Sequence, residues 1–186
     1  MNLYILRHVS AGTRRENPVI DIKRPLDKEG KQQCMLVGSF LNALNVQFDI
    51  ILSSPLKRAL QTASLVGTEV GYDAKIVVTE ALAPSATVAA FEKLVAGLAN
   101  YENVLVVGHN PNLAVFFGAL LSARGASNLG LSGSSDKPRI RLRKGAIARI
   151  DATRRPGTLH WLVDPRILRG VYAKVTKSSR RKTSRK

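Results

Sequence analysis

Leu3-Tyr4-Ile5-Leu6-Arg7-His8 decides the fold. Four apolar residues, one β-branched and one aromatic, form a short buried strand that stops abruptly on two cationic side chains. In open α/β sheets ligands bind at the carboxyl ends of the strands, so this ending places Arg7 and His8 at a binding edge. Two later runs finish in the same way. Ile50-Ile51-Leu52-Ser53 leads into Ser54-Pro55-Leu56-Lys57-Arg58, and Val104-Leu105-Val106-Val107 leads into Gly108-His109-Asn110-Pro111. Three strand ends that together carry Arg7, His8, Arg58 and His109 predict one pocket built for an anion.

Outward from these strands, helical and extended patterns alternate, which predicts a mostly parallel sheet covered on both faces, a three-layer α/β/α sandwich. Asp27 is placed to cap a helix whose apolar face is Cys34, Val37, Leu41 and Leu44. Further helices are predicted from Pro55 to about Val70, closed by Gly71, from Ala86 to Ala99, and from Pro111 to Leu121. Lys75–Val78 reads as a short third strand. Ser10–Arg24 reads as a polar loop, and the Ser- and Gly-rich stretch Ser122–Pro138 as a mobile one. Ala146–Ile150 and Thr158–Val163, joined by Arg154-Arg155-Pro156-Gly157, predict an antiparallel C-terminal hairpin. His160 and Trp161 fall in its second strand, where core packing is the expected role.

The chain has 186 residues, 45% of them apolar, which suits one globular domain, placed at residues 1–170. Its single cysteine, Cys34, excludes an internal disulfide, and its position on an apolar helix face predicts an inert thiol. The arginines within the first fifteen residues interrupt any signal-like apolar run, and the longest apolar stretch, Leu113–Leu121, is too short for a bilayer. A cytoplasmic protein without membrane insertion is expected. The net charge of +16 is concentrated at the C-terminus, where nine cations and no acid follow Asp164. Residues 171–186 are therefore read as a basic disordered tail, either a solvated end or a contact for an acidic partner or nucleic acid.

The chemistry follows from the pocket. Ser54-Pro55 and Asn110-Pro111 each resemble a helix start, and helix amino termini attract anions. Arg58, one turn inside its helix, presents a planar fork suited to two oxygens of a tetrahedral dianion. Beside fixed arginines the imidazolium form of His8 is disfavoured, which leaves it neutral and nucleophilic. Glu80, in Thr79-Glu80-Ala81-Leu82, is the candidate proton donor if apolar neighbours raise its pKa. Each residue alone has a plainer reading: a structural His8, a His109 that caps its own helix, an exposed loop acid at Glu80. His8, His109 and Glu80 could also be a metal set, but Arg7 and Arg58 would repel a cation, so no metal or other cofactor is expected.

Taken together, these segments resemble the histidine phosphatase superfamily, which includes phosphoglycerate mutases and acid phosphatases. Leu6-Arg7-His8 is similar to its Arg-His-Gly nucleophile motif, with Val9 where glycine is usual. The run from Ser54 to Ala63 resembles its second-arginine helix, Thr79-Glu80 falls where its proton donor belongs, and Gly108-His109-Asn110 resembles its second-histidine motif. Arg24-Pro25-Leu26 with Gly30 is similar to the first helix of SixA-type phosphohistidine phosphatases. The resemblance spans residues 1 to 165 and implies a phosphoglycerate mutase-like fold. It also implies a phosphorylated nucleophile at His8, phosphoryl binding by Arg7, Arg58 and His109, and an acid at Glu80.

Only 28 residues separate Glu80 from His109, too few for the helical cover that the mutases carry there. An open site predicts a phosphorylated side chain on another protein as substrate, phosphohistidine above all. A broad small-molecule phosphomonoesterase is the alternative within enzymes. A noncatalytic phosphate- or nucleic-acid-binding module is the alternative outside them.

Overall fold

The computed structural model describes residues 1–123 and 140–183, the last nine of these as helical backbone only. Six strands form one sheet in the order β3-β2-β4-β1-β5-β6. They are β1 (Asn2–Arg7), β2 (Ile50–Ser53), β3 (Val77–Val78), β4 (Asn103–Gly108), β5 (Ile147–Asp151) and β6 (Thr158–Val163). β1, β2, β3 and β4 are parallel, while β5 runs antiparallel to β1 and β6 antiparallel to β5. The helices are α1 (Pro18–Ile22), α2 (Lys28–Ala43), α3 (Lys57–Glu69), α4 (Val88–Ala96), α5 (Asn112–Leu121) and α6 (Pro165–Thr183).

Strand alternation divides the interior into two cores. Tyr4, Leu6, Ile51, Leu105 and Val107 pack with residues of α2, α3 and α6, including Val37, Leu41, Ala63, Val66 and Leu168. Leu3, Ile5, Leu52, Val104 and Val106 face α4 and α5 through Phe91, Val95, Leu113, Phe116 and Phe117. Burial on both sides is why β1 and β4 read as unbroken apolar runs rather than alternating ones. The α/β/α sandwich with its C-terminal hairpin is thus the observed architecture.

Where elements differ from expectation, the cause is local. Val77 and Val78 are exposed and pair only with Leu52 and Ser53, so β3 is a two-residue edge strand. α4 starts late because Thr87 caps it, its hydroxyl oxygen accepting from the Ala90 N–H. Inside the stretch predicted as loop, Asn17 caps α1 and Pro18 takes its first position. Trp161 packs edge-on against Tyr4 and Phe40, but His160 lies on the exposed side of β6. Leu44 is 47% exposed, just past the end of α2, and does not join the apolar face. The sequence predicts disorder from residue 171; the structure instead continues α6 to Thr183. Lysine and arginine are good helix formers, and no glycine or proline follows Gly170 to stop the helix. Most of Ser122–Pro138 lies outside the described residues.

Candidate active site

Parallel register brings the motif residues together. Arg7 pairs with Gly108 and Ser53 with Val107, so His8, Ser54 and His109 each stand one residue beyond a strand on the same edge. The backbone ladder continues through them: the His8 N–H donates to the Gly108 carbonyl and the Ser54 N–H to the Val107 carbonyl, both at 3.0 Å. The imidazoles of His8 and His109 face each other with ring centroids 5.0 Å apart. Both are buried, as is Arg58.

A carbonyl partner fixes which nitrogen of His8 carries its proton. His8 Nδ1 lies 2.8 Å from the Val9 carbonyl oxygen, which can only accept, so Nδ1 is protonated and Nε2 keeps its lone pair. His109 Nε2 lies 2.8 Å from Ser54 Oγ, which already accepts from the Leu56 N–H. With the Ser54 hydroxyl donating to Nε2, the proton of neutral His109 sits on Nδ1. That nitrogen is buried without a partner among the described residues, as are Arg7 Nε and Arg58 Nε. Unpartnered nitrogens on three converging residues, two of them guanidinium donors, suit an oxyanion.

Burial pushes the His8 pKa down to about 3, with the charges of Arg58 and Arg7 as smaller contributors. Burial likewise pushes His109 down to about 3, helped by His8 and the same arginines. Both imidazoles are neutral at physiological pH, mainly through loss of water rather than through the arginines emphasised by the sequence. Burial drives the Cys34 thiol up to about 12, so it is not a nucleophile.

The arginines are oriented by neighbours that sequence patterns did not single out. Arg7 Nη1 donates to the Leu142 carbonyl at 2.8 Å. Arg58 Nη1 donates to the Asp21 carbonyl and to its carboxylate, and Asp21 also receives Arg24 Nε at 2.8 Å. Arg24 Nη1 in turn donates to the carbonyls of Ala11 and Gly12. Thr62 links the two motifs, donating to the Arg58 carbonyl and accepting from the Val9 N–H. The signal for Asp21 was present in Asn17-Pro18, a helix start that would set Asp21 and Arg24 one turn apart.

Two expected caps have other duties. α3 begins at Lys57 without a side-chain cap, because its N-cap residue is the apolar Leu56; the Ser54 hydroxyl, two residues earlier, accepts from the Leu56 N–H and engages His109. α5 also lacks a side-chain cap, and Asn110 Nδ2 donates instead to the Leu142 carbonyl. Glu80 opens a single 3-10 turn, Glu80–Leu82, after β3, held to the sheet edge by the Thr79 N–H on the Ser53 carbonyl. Its side chain is exposed, so the apolar enclosure expected from Ala81 and Leu82 is not formed. Val9 is fully buried in the α2/α3 core and directs its side chain away from the pocket.

Residues 3–84 match the family model described as histidine phosphatase superfamily (branch 1). The chain belongs to this superfamily. It is 35% identical over 158 residues to an uncharacterized protein of Picosynechococcus sp., covering 82% of this chain and 90% of that protein. It is 29% identical over 113 residues to the phosphohistidine phosphatase SixA of Escherichia coli K12, covering 60% of this chain and 68% of SixA. A solved structure of the protein histidine phosphatase SixA complexed with tungstate superposes with a TM-score of 0.73 at 25% identity, covering 90% of this chain and 99% of that one. Membership of the superfamily together with the likeness to SixA supports phosphatase activity.

Proposed function

We propose that the protein removes phosphoryl groups from phosphohistidine on a partner protein, through a phosphohistidine formed at His8. The observation that carries this reading is the His8 Nδ1 bond to the Val9 carbonyl, which leaves Nε2 as an unprotonated nucleophile beside His109. In the first step Nε2 attacks phosphorus in line and the bond from phosphorus to the substrate imidazole breaks. The leaving nitrogen takes its proton from Glu80, whose exposed position at the edge suits an acid that must meet a bulky substrate. Water then attacks the phosphorus of phospho-His8, Glu80 recovers a proton, and inorganic phosphate leaves. Arg7, Arg58 and His109 hold the phosphoryl oxygens and stabilise their charge in both transition states.

A protein substrate is supported by the chain's economy over the site. Between Glu80 and β4 only the 3-10 turn and α4 are built, and α4 packs under the sheet face rather than over the edge. The likeness to SixA points the same way. The test compares kcat/KM on a phosphohistidine-bearing carrier domain with kcat/KM on sugar phosphates. A preference for the carrier domain is expected; a clear preference for sugar phosphates overturns the reading.

A further inference from the structure

A cleft of about 890 Å³ opens from Arg7 and Asn110 and runs between α2 and α6. Its floor is apolar, from Met35, Leu36 and Pro165, with Met35 56% exposed. Its rim is cationic. Arg141, Arg143, Lys144, Arg166 and Arg169 line it beyond Arg7, and Glu29 is its one acidic lining residue among the described residues. Asp164 engages Arg143 and Arg166, and Glu29 reaches Arg169 only at 4.0 Å. Arg141 and Lys144 make no ion pair among the described residues. The cleft therefore keeps a positive excess over an apolar base, continuous with the phosphoryl pocket.

We infer that this cleft docks the acidic flank of the phosphorylated partner, as a helix with one apolar ridge and carboxylates on either side of it. The inference rests on the protein-substrate reading and adds where and by what chemistry that protein is held. Two helices with an apolar floor make a groove of the kind amphipathic helices enter. Methionine on the floor adapts to side chains of varied shape. The surrounding cations repel basic sequences and attract glutamate-rich ones, giving recognition that does not draw on the phosphoryl group itself.

The test uses the full chain and two unphosphorylated, fluorescein-labelled 18-residue amphipathic helices, one of leucine and glutamate and one of leucine and lysine. The glutamate peptide is expected to bind, and its Kd to rise at least tenfold both in Arg141→Glu/Arg169→Glu and between low and high salt. The milder Arg141→Gln/Arg169→Gln should give an intermediate loss. Hydrolysis of p-nitrophenyl phosphate should stay within twofold in both variants, showing an intact catalytic centre. Equal binding of the two peptides, or an unchanged Kd in the reversed variant, overturns the inference. So does displacement of the glutamate peptide by a single-stranded oligonucleotide that binds more tightly, which would assign the cleft to nucleic acid. Because the peptides carry no phosphate, a failure to hydrolyse phosphohistidine protein would strike the catalytic reading alone.

Discussion

Asp21 grips the Arg58 guanidinium twice, its carboxylate Oδ2 at 3.2 Å and its backbone carbonyl at 3.1 Å from the same Nη1. The guanidinium fork cannot rotate without breaking both contacts, and its Nε is left buried and unpartnered. An acid beside an anion site weakens the local field, so its value lies in fixing direction rather than adding charge.

Asp21→Ala should lower kcat/KM for a phosphorylated substrate about tenfold, because a loosened Arg58 meets the transition state less well than it meets the ground state. Most of the loss should appear in kcat rather than KM. Asp21→Asn keeps an acceptor oxygen and should recover part of the rate. Steady-state kinetics on the three proteins checks this; equal kcat values would show that Arg58 is held in place without the Asp21 carboxylate.

His8→Ala should reduce turnover by about 10⁴-fold or more, the usual order for loss of a nucleophile. The native enzyme, quenched during turnover, should carry acid-labile phosphate that maps to His8 by mass spectrometry. Undiminished hydrolysis in the variant would refute the covalent route.

The sheet and the placement of Arg7, His8 and His109 on one of its edges were legible because both are local signals. Apolar runs that end on Arg7-His8 and His109 declare strand and edge in consecutive residues, and register then does the assembly. What was not legible depends on partners distant in sequence. A serine before a proline reads as a cap, and nothing near Ser54 reveals that its hydroxyl is committed to an imidazole 55 residues away. The same is true of Asn110 and the Leu142 carbonyl. Glu80 shows the reverse error: apolar sequence neighbours suggested enclosure, but the adjacent Leu82 turns inward while Glu80 faces solvent. The basic C-terminus was judged by charge alone, although its helix-forming residues lack any breaker.

Val9 marks a departure from the glycine usual after the nucleophile, and the structure gives it a core role. Its side chain is fully buried and approaches Gly30 and Gly145. Val9→Gly should cost about 3 kcal/mol through the cavity and the added backbone freedom of glycine. No gain in kcat should accompany it, since the valine does not crowd the pocket. Denaturant titration and kinetics on the same preparation check both parts; a faster enzyme would mean that Val9 restrains His8.

Gly30 sits where α2 meets the loop after the nucleophile. A Cβ there would lie 2.0 Å from the Ser10 carbonyl oxygen, and the backbone is pinned by the Gly30 N–H on Asp27 Oδ1 at 2.7 Å. Neither side can yield cheaply, because Asp27 also accepts from the Ser10 hydroxyl. Gly30→Ala should destabilise the fold by about 3 kcal/mol, as overpacking against backbone does. Thermal unfolding measures it, and a change below about 1 kcal/mol would show that the helix start can shift.

Acid should weaken the fold through the two site histidines. His8 and His109 are held neutral by burial, with pKa values pushed down to about 3 from the ordinary 6.5. Between those values the unfolded chain binds protons that the folded chain refuses, so stability rises with pH across this window and falls as pH drops through it. At pH 5 each histidine should have removed roughly 2 kcal/mol relative to pH 8. Replacing His109 by Gln, which cannot protonate, should flatten the slope of unfolding free energy against pH between 4 and 6.5. Urea titrations of both proteins at several pH values give that slope directly, and an unchanged slope would show that His109 does not carry the acid sensitivity.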